Sequence, residues 1–180
     1  MNTEEAEFEK VHLKFLEKNK VRFRCSYQVS RERLWNAISQ PGELNRWFMK
    51  TEWDFRKGGR FSLEGGWDGW IEDIIEFRFI QLSSSENAFT SFEIVQTESG
   101  TELHVTDQIP YDLVSLATED ISNYQPGGSG THWVGLLDGW DDFLLALGSH
   151  LMNKEFDDHF DSFCQKYKYI LEKRYESTIE

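Results

Sequence analysis

From Val21 to Val29 apolar and polar residues alternate without a break, with Val21, Phe23, Cys25, Tyr27 and Val29 on one side and Arg22, Arg24, Ser26 and Gln28 on the other. A period of two is that of a half-buried antiparallel strand. The period then changes. Ser30 suits the cap of a helix whose Leu34, Trp35 and Ile38 share a face, and Pro41-Gly42 ends it. Pro41 fits the first turn of a second short helix, in which Leu44, Trp47 and Phe48 stand at i, i+3 and i+4. A strand feeding two small helices before a run of further strands is an unusual order, and it restricts the fold.

The strand candidates that follow are Glu52–Arg56, a Lys57-Gly58-Gly59 turn, and Arg60–Glu64 with Phe61 and Leu63 on one face. Gly65-Gly66 and Gly69 bracket Trp67, after which Trp70–Ile80 reads as one long strand. Its inward set switches between Ile71 and Ile74, the mark of a bulge or of burial on both faces. Ser83–Asn87 forms a turn, and Ala88–Gln96 and Thr101–Ile109 pair around Glu98-Ser99-Gly100. Short links between consecutive strands imply an antiparallel sheet.

Pro110–Gly130 is a long polar loop, of a length that in compact domains usually serves function. Trp133, Leu136, Leu137, Trp140, Leu144, Leu147 and Leu151 then mark one side of a helix, with Asp138, Asp141 and Asp142 on the other. Phe156, Phe160, Phe163, Tyr167 and Ile170 define an appended amphipathic helix. At the other end, Phe8, Val11, Phe15 and Leu16 fit a helix, while Val11, Leu13 and Phe15 fit an extension of the first strand; the helix is the preferred reading. The organisation expected is an N-terminal extension over 1–19, a domain over 20–151 and the appended helix over 152–180. The fold class is α+β: a curved antiparallel sheet of about six strands around a long C-terminal helix, the helix-grip arrangement.

Composition narrows the function more by exclusion. The 32 acidic residues against 19 basic ones give a net charge of −13, which disfavours nucleic acid and anionic membrane surfaces as partners. The opening MNTEEAEFEK lacks the basic flank and apolar core of a signal peptide, and no apolar run approaches a membrane span, so a cytoplasmic protein without membrane insertion is expected. Two cysteines, Cys25 and Cys164, fit free thiols. The stripe of the appended helix has two readings, packing back on the domain or pairing with a second copy as a homodimer.

The stretch VSRERLWNAISQPGELNRWF over residues 29–48 resembles the opening of START-like, SRPBCC-type proteins, especially the branch of the activator of the heat-shock-protein ATPase and its polyketide cyclase-like members. GGRFSLE at 58–64, Gly69-Trp70-Ile71, GTELHVTD at 100–107 and HWVGLLDGWDDFLLAL at 132–147 are similar to later elements of that pattern, over roughly Lys20–Leu151. The long 110–130 loop and the 153–180 helix depart from it.

The resemblance implies a cavity between sheet and long helix that holds an apolar ligand. Trp47, Phe48, Trp67, Trp70, Trp133, Leu136 and Trp140 are the candidate walls, and Gly135 and Gly139, one helical turn apart, would let a ligand or the sheet approach the helix backbone. The competing reading is that these rings simply fill the core. Parity with Leu103 and Val105 puts Asp107 on the apolar face of its strand, where a carboxylate must be hydrogen-bonded, paired or pKa-shifted; the competing reading is a strand-end carboxylate already in solvent or capping the next turn. Asp107 and His132, the latter at the start of the long helix, are the two residues that could do acid–base work. No metal-ligand spacing, P-loop lysine or nucleophile elbow occurs, so no metal or cofactor is expected. Binding of an apolar or amphipathic small molecule comes first, a protein-interaction module of co-chaperone type second, and a cyclase- or hydrolase-type enzyme third.

Overall fold

The computed structural model describes residues 11–17, 19–64, 66–110 and 132–154, with the side chains of 15 and 132–138 outside that description. Eight strands form one antiparallel sheet: β1 (Val11–Glu17), β2 (Lys20–Tyr27), β3 (Thr51–Trp53), β4 (Arg60–Leu63), β5 (Trp67–Ile75), β6 (Phe79–Ser85), β7 (Ala88–Thr97) and β8 (Gly100–Gln108). Their spatial order is β1-β2-β8-β7-β6-β5-β4-β3. Helices α1 (Arg31–Ser39) and α2 (Pro41–Trp47) follow β2, and α3 (His132–Leu151) closes the fold. The helix-grip architecture is thus present, with more strands than the sequence pattern implies.

The alternation in β2 does what a period of two dictates. Val21, Phe23, Cys25 and Tyr27 are buried, facing Leu103 and Val105 of β8 and, beyond them, Phe92 and Ile94 of β7. Against this face lies the α3 stripe Trp140, Leu144, Leu147 and Leu151, all buried. Ser30 caps α1, its hydroxyl accepting from the Arg33 N–H at 3.1 Å, and Pro41 opens α2.

Two ties fix α3 towards its C-terminal end. The Tyr27 hydroxyl donates to the Leu144 carbonyl at 2.8 Å, and burial pushes the Tyr27 phenol well up, so it stays protonated as a donor. Glu43 of α2 accepts from Arg33 of α1 at 2.9 Å and from His150 of α3 at 2.6 Å. That bond to His150, with Arg33 behind it, holds the Glu43 carboxyl below its usual range.

Three features differ from the sequence reading. Val11–Glu17 is a strand, not a helix, and it joins β2 in register from Val11↔Cys25 onward, so the sheet continues across the expected boundary at residue 19. Buried Val11 and half-buried Leu13 extend the inner face, a period of two that four apolar residues at near-helical spacing had obscured. The expected strand Trp70–Ile80 is two strands, broken at Glu76–Phe77–Arg78. Phe77 takes a φ of 60° there, with its ring 5.9 Å from Trp35, and no glycine or proline announces the turn. The expected switch in inward residues is present as a register shift between Ile71 and Asp73. Finally, Asp141 is 2% exposed rather than on a solvated face. Helix α3 packs on the sheet and also on α1 and α2, so its buried arc is wider than one apolar stripe.

Gly69 shows how tightly the sheet is drawn at β4–β5–β6. A Cβ there would overlap the Ser83 carbonyl oxygen and come within 2.9 Å of the Phe61 ring. Replacing Gly69 with Ala is therefore expected to cost about 1–3 kcal/mol, read as a lower midpoint in urea denaturation. An unchanged midpoint would show that β5 can slide away from β6 freely.

Candidate functional site

Strand parity brings the described residues of the site together. In the paired register Val21 of β2, Asp107 of β8 and Thr90 of β7 stand side by side on the inner face of the sheet. Asn19, just before β2, ties down the end of β8: its side chain donates to the Ile109 carbonyl at 2.9 Å, while the Ile109 N–H returns a bond to the Asn19 carbonyl at 3.0 Å. Asp107 is 5% exposed and its carboxylate is held on both oxygens. The Thr90 hydroxyl donates to Oδ1 and the Trp140 indole N–H donates to Oδ2, each at 2.8 Å.

Burial pushes the Asp107 carboxyl up to about 6, against the downward pull of Trp140, Thr90 and the Gln108 backbone N–H. Three donors favour the charged form, yet the loss of water outweighs them. Among the described residues no charged group contributes to this balance. The group is a carboxylate at neutral pH and an acid slightly below it.

Asp107 lies on the wall of a cavity of about 350 Å³ between the sheet and α3. Apolar groups dominate the wall: Met49, Trp67, Phe89, Ile109, Trp140 and Phe143. Ligand cavities in proteins commonly start near 300 Å³ and combine an apolar lining with few polar groups. Gly139 of α3 also lines it, and among the described residues a Cβ on Gly139 would meet only the Phe143 ring, at 3.7 Å, an ordinary contact. The space beside Gly139 is therefore empty of sheet. At Gly148 the reverse holds, since a Cβ there would rest 3.5 Å from the Tyr27 ring.

The structure separates the aromatic candidates. Trp67 and Trp140 line the cavity beside Asp107. Phe48 stands behind Trp140, stacked on it at 5.8 Å and edge-on to Phe143 at 4.4 Å, so it supports the wall without being part of it. Trp47 is a core residue whose indole N–H donates to the Ala37 carbonyl at 2.9 Å. Trp70 is on the outer face of the sheet, 39% exposed, with its indole N–H on Glu72. The side chains of His132, Trp133 and Leu136 lie outside the described residues, as do residues 111–131 and 155–180, on which the expected 110–130 loop and the expected appended helix over 152–180 largely fall.

Thr90, Met49, Phe89, Ile109 and Phe143 are among the wall residues that sequence reasoning did not single out. Thr90 shares its parity with Phe92 and Ile94, and Phe143 is one helical turn beyond Trp140, so both carried a signal. Met49, in the link after α2, carried none. Among the described residues no His, Cys, Asp and Glu side chains are grouped to hold a metal, and no helix is long and apolar enough to cross a membrane.

The family model described as activator of Hsp90 ATPase homolog 1-like protein matches residues 28–133. No curated protein matches the chain. Among solved structures, CalU16 from Micromonospora echinospora is similar with a TM-score of 0.64 and 18% identity, over 86% of this chain and 86% of that one. EF2215 from Enterococcus faecalis, described as a conserved protein of unknown function, gives 0.68 and 14% over 94% of each chain. DynU16, a protein of the dynemicin biosynthetic locus, gives 0.57 and 17% over 74% of this chain and 47% of its own. At these identities the likeness is one of fold.

Proposed function

Because the chain belongs to the activator of Hsp90 ATPase homolog 1-like family, and so carries a helix-grip fold suited to ligands, we propose that it is a cytoplasmic protein that binds an apolar or amphipathic small molecule between sheet and α3. The observation that carries this reading is the cavity beside Gly139, which among the described residues is bounded by Trp67, Trp140 and Phe143 and ends on Asp107. A glycine in a helix interior costs about 0.5–1 kcal/mol relative to alanine. A core that needed only to be filled would gain from a side chain there.

The test is a thermal-shift screen with apolar and amphipathic compounds, repeated on Gly139→Leu. A ligand that binds only the folded state raises the midpoint by mass action. Binders are expected among the amphiphiles, with the shift abolished in Gly139→Leu although that unliganded variant melts at or above the parent midpoint. If no compound shifts the parent, or if the shifts survive in the variant, the cavity is not the binding site.

One observation favours catalysis as a second reading: the ionisable Asp107 reaches the cavity wall with a pKa of about 6. A carboxyl poised there could act as general acid or base on a bound ligand. Turnover of a bound compound that vanishes in Asp107→Asn would support it, and unchanged turnover would exclude Asp107 from the chemistry.

A further inference from the structure

On the reading that this cavity holds a ligand, the site also has a charge preference. Asp107 is the one charged side chain among the described residues of the wall. What packs around it carries no charge: Val21 of β2, Thr90 of β7 and Trp140 of α3. A carboxylate offers about four lone-pair sites on its two oxygens. Three are taken, by Thr90, Trp140 and the Gln108 backbone N–H. Among the described residues the carboxylate is thus fixed in place by three donors, with no cation beside it.

We propose that the ligand is an apolar amphiphile whose head group is a cation with N–H donors, such as a primary or secondary ammonium, and that Asp107 selects it over neutral and anionic heads. The energetics follow from what has already been spent in folding. Desolvation of the Asp107 carboxyl is incurred whether or not a ligand is present, so an arriving ammonium loses only its own hydration and meets a fixed charge in a medium of low dielectric. A charge-assisted bond to that oxygen is roughly twice as strong as a neutral one. A carboxylate head has the opposite fate, since it meets a like charge at short range with no arginine or lysine on the described wall to offset it. Size limits the tail. At about 30 Å³ for each water-sized group, 350 Å³ holds on the order of a dozen non-hydrogen atoms.

Decylammonium, 1-decanol and decanoate share one tail and differ in the head. Their affinities should be compared by titration calorimetry near pH 7.5 in about 0.15 M salt, where the Debye length is about 8 Å and surface attraction is screened. Decylammonium is expected to bind at least about 10-fold tighter than decanol, and decanoate weakest. In Asp107→Asn the spread should collapse to within about threefold, and in Gly139→Leu all three should lose binding. If none of the three binds the parent protein, the ligand-cavity reading falls and this proposal with it. If all bind alike, or decanoate binds best, the cavity stands and the charge preference is overturned. An ammonium preference that persists in both variants would belong to the acidic surface and would also overturn it.

Discussion

Asp107→Asn is expected to make the folded protein more stable near neutral pH, by up to about 3 kcal/mol, and to remove a pH dependence that the parent shows. Each unit of pKa shift is worth about 1.4 kcal/mol. Asp107 moves from 3.8 to about 6 on folding. The folded state therefore holds its proton more tightly than the unfolded chain does. By linkage the contribution is fully present below about pH 4 and is lost as the pH rises through about 6. Glu43 and Glu102 run the other way: each is lowered by a histidine partner, so their contribution is lost as the pH falls. The difference between parent and variant isolates Asp107. Asparagine suits the site, because its carbonyl can accept from Trp140 and the Thr90 hydroxyl can reverse to accept from the amide. Urea denaturation of both proteins from about pH 4 to pH 8 should give a difference that grows by about 3 kcal/mol across the window. A difference that is flat with pH would mean that Asp107 is not desolvated.

Trp140→Ala should be the most damaging single change at the site, at about 3–5 kcal/mol. Trp140 is 4% exposed and is held between Phe48, Phe92 and Phe143, with ring centroids 5.6–6.0 Å away. Its removal merges the space it fills with the cavity beside it. Trp140→Phe separates packing from hydrogen bonding. It keeps most of the ring contacts but strips Asp107 Oδ2 of its indole donor, a loss of about 1–3 kcal/mol. Since that bond favours the charged carboxylate, its loss should also move the Asp107 titration above its value near 6. The first effect is read by denaturation, the second as an upward shift of the pH midpoint. An unmoved midpoint in Trp140→Phe would show that the indole does not hold the carboxylate.

The parts of this molecule that the sequence made legible are those where one period operates alone. β2 buries each alternate residue with no exception from Val21 to Tyr27, and the same parity holds at buried Asp107, against the competing reading of a strand-end carboxylate in solvent. Parity applied to Trp70 would have worked as well, because Gly69 and Ile71 face inward and Trp70 must then face out. An aromatic next to a family-like glycine was the wrong guide there. Legibility failed where two surfaces compete for one element. Asp141 reads as polar face, yet it is buried and lies close enough to Tyr27 of β2 to act on its phenol. The break at Phe77 is invisible for a different reason: tertiary contact with Trp35, not a turn-forming residue, accompanies its left-handed backbone.

The β2–β8 ladder joins Lys20 to Gln108 and Val21 to Asp107, so it closes a chain of more than eighty residues, whereas β4 to β8 pair with near neighbours in sequence. Non-local pairing slows folding because loop closure must precede the contacts that reward it. The hairpins of the meander can form from local encounters; the seam cannot. Asp107 and its neighbour Val21 sit on that seam, so the cavity wall comes into being with the slowest closure and opens with its reversal. An occupant of the cavity should therefore leave the refolding rate almost untouched and act as a brake on unfolding.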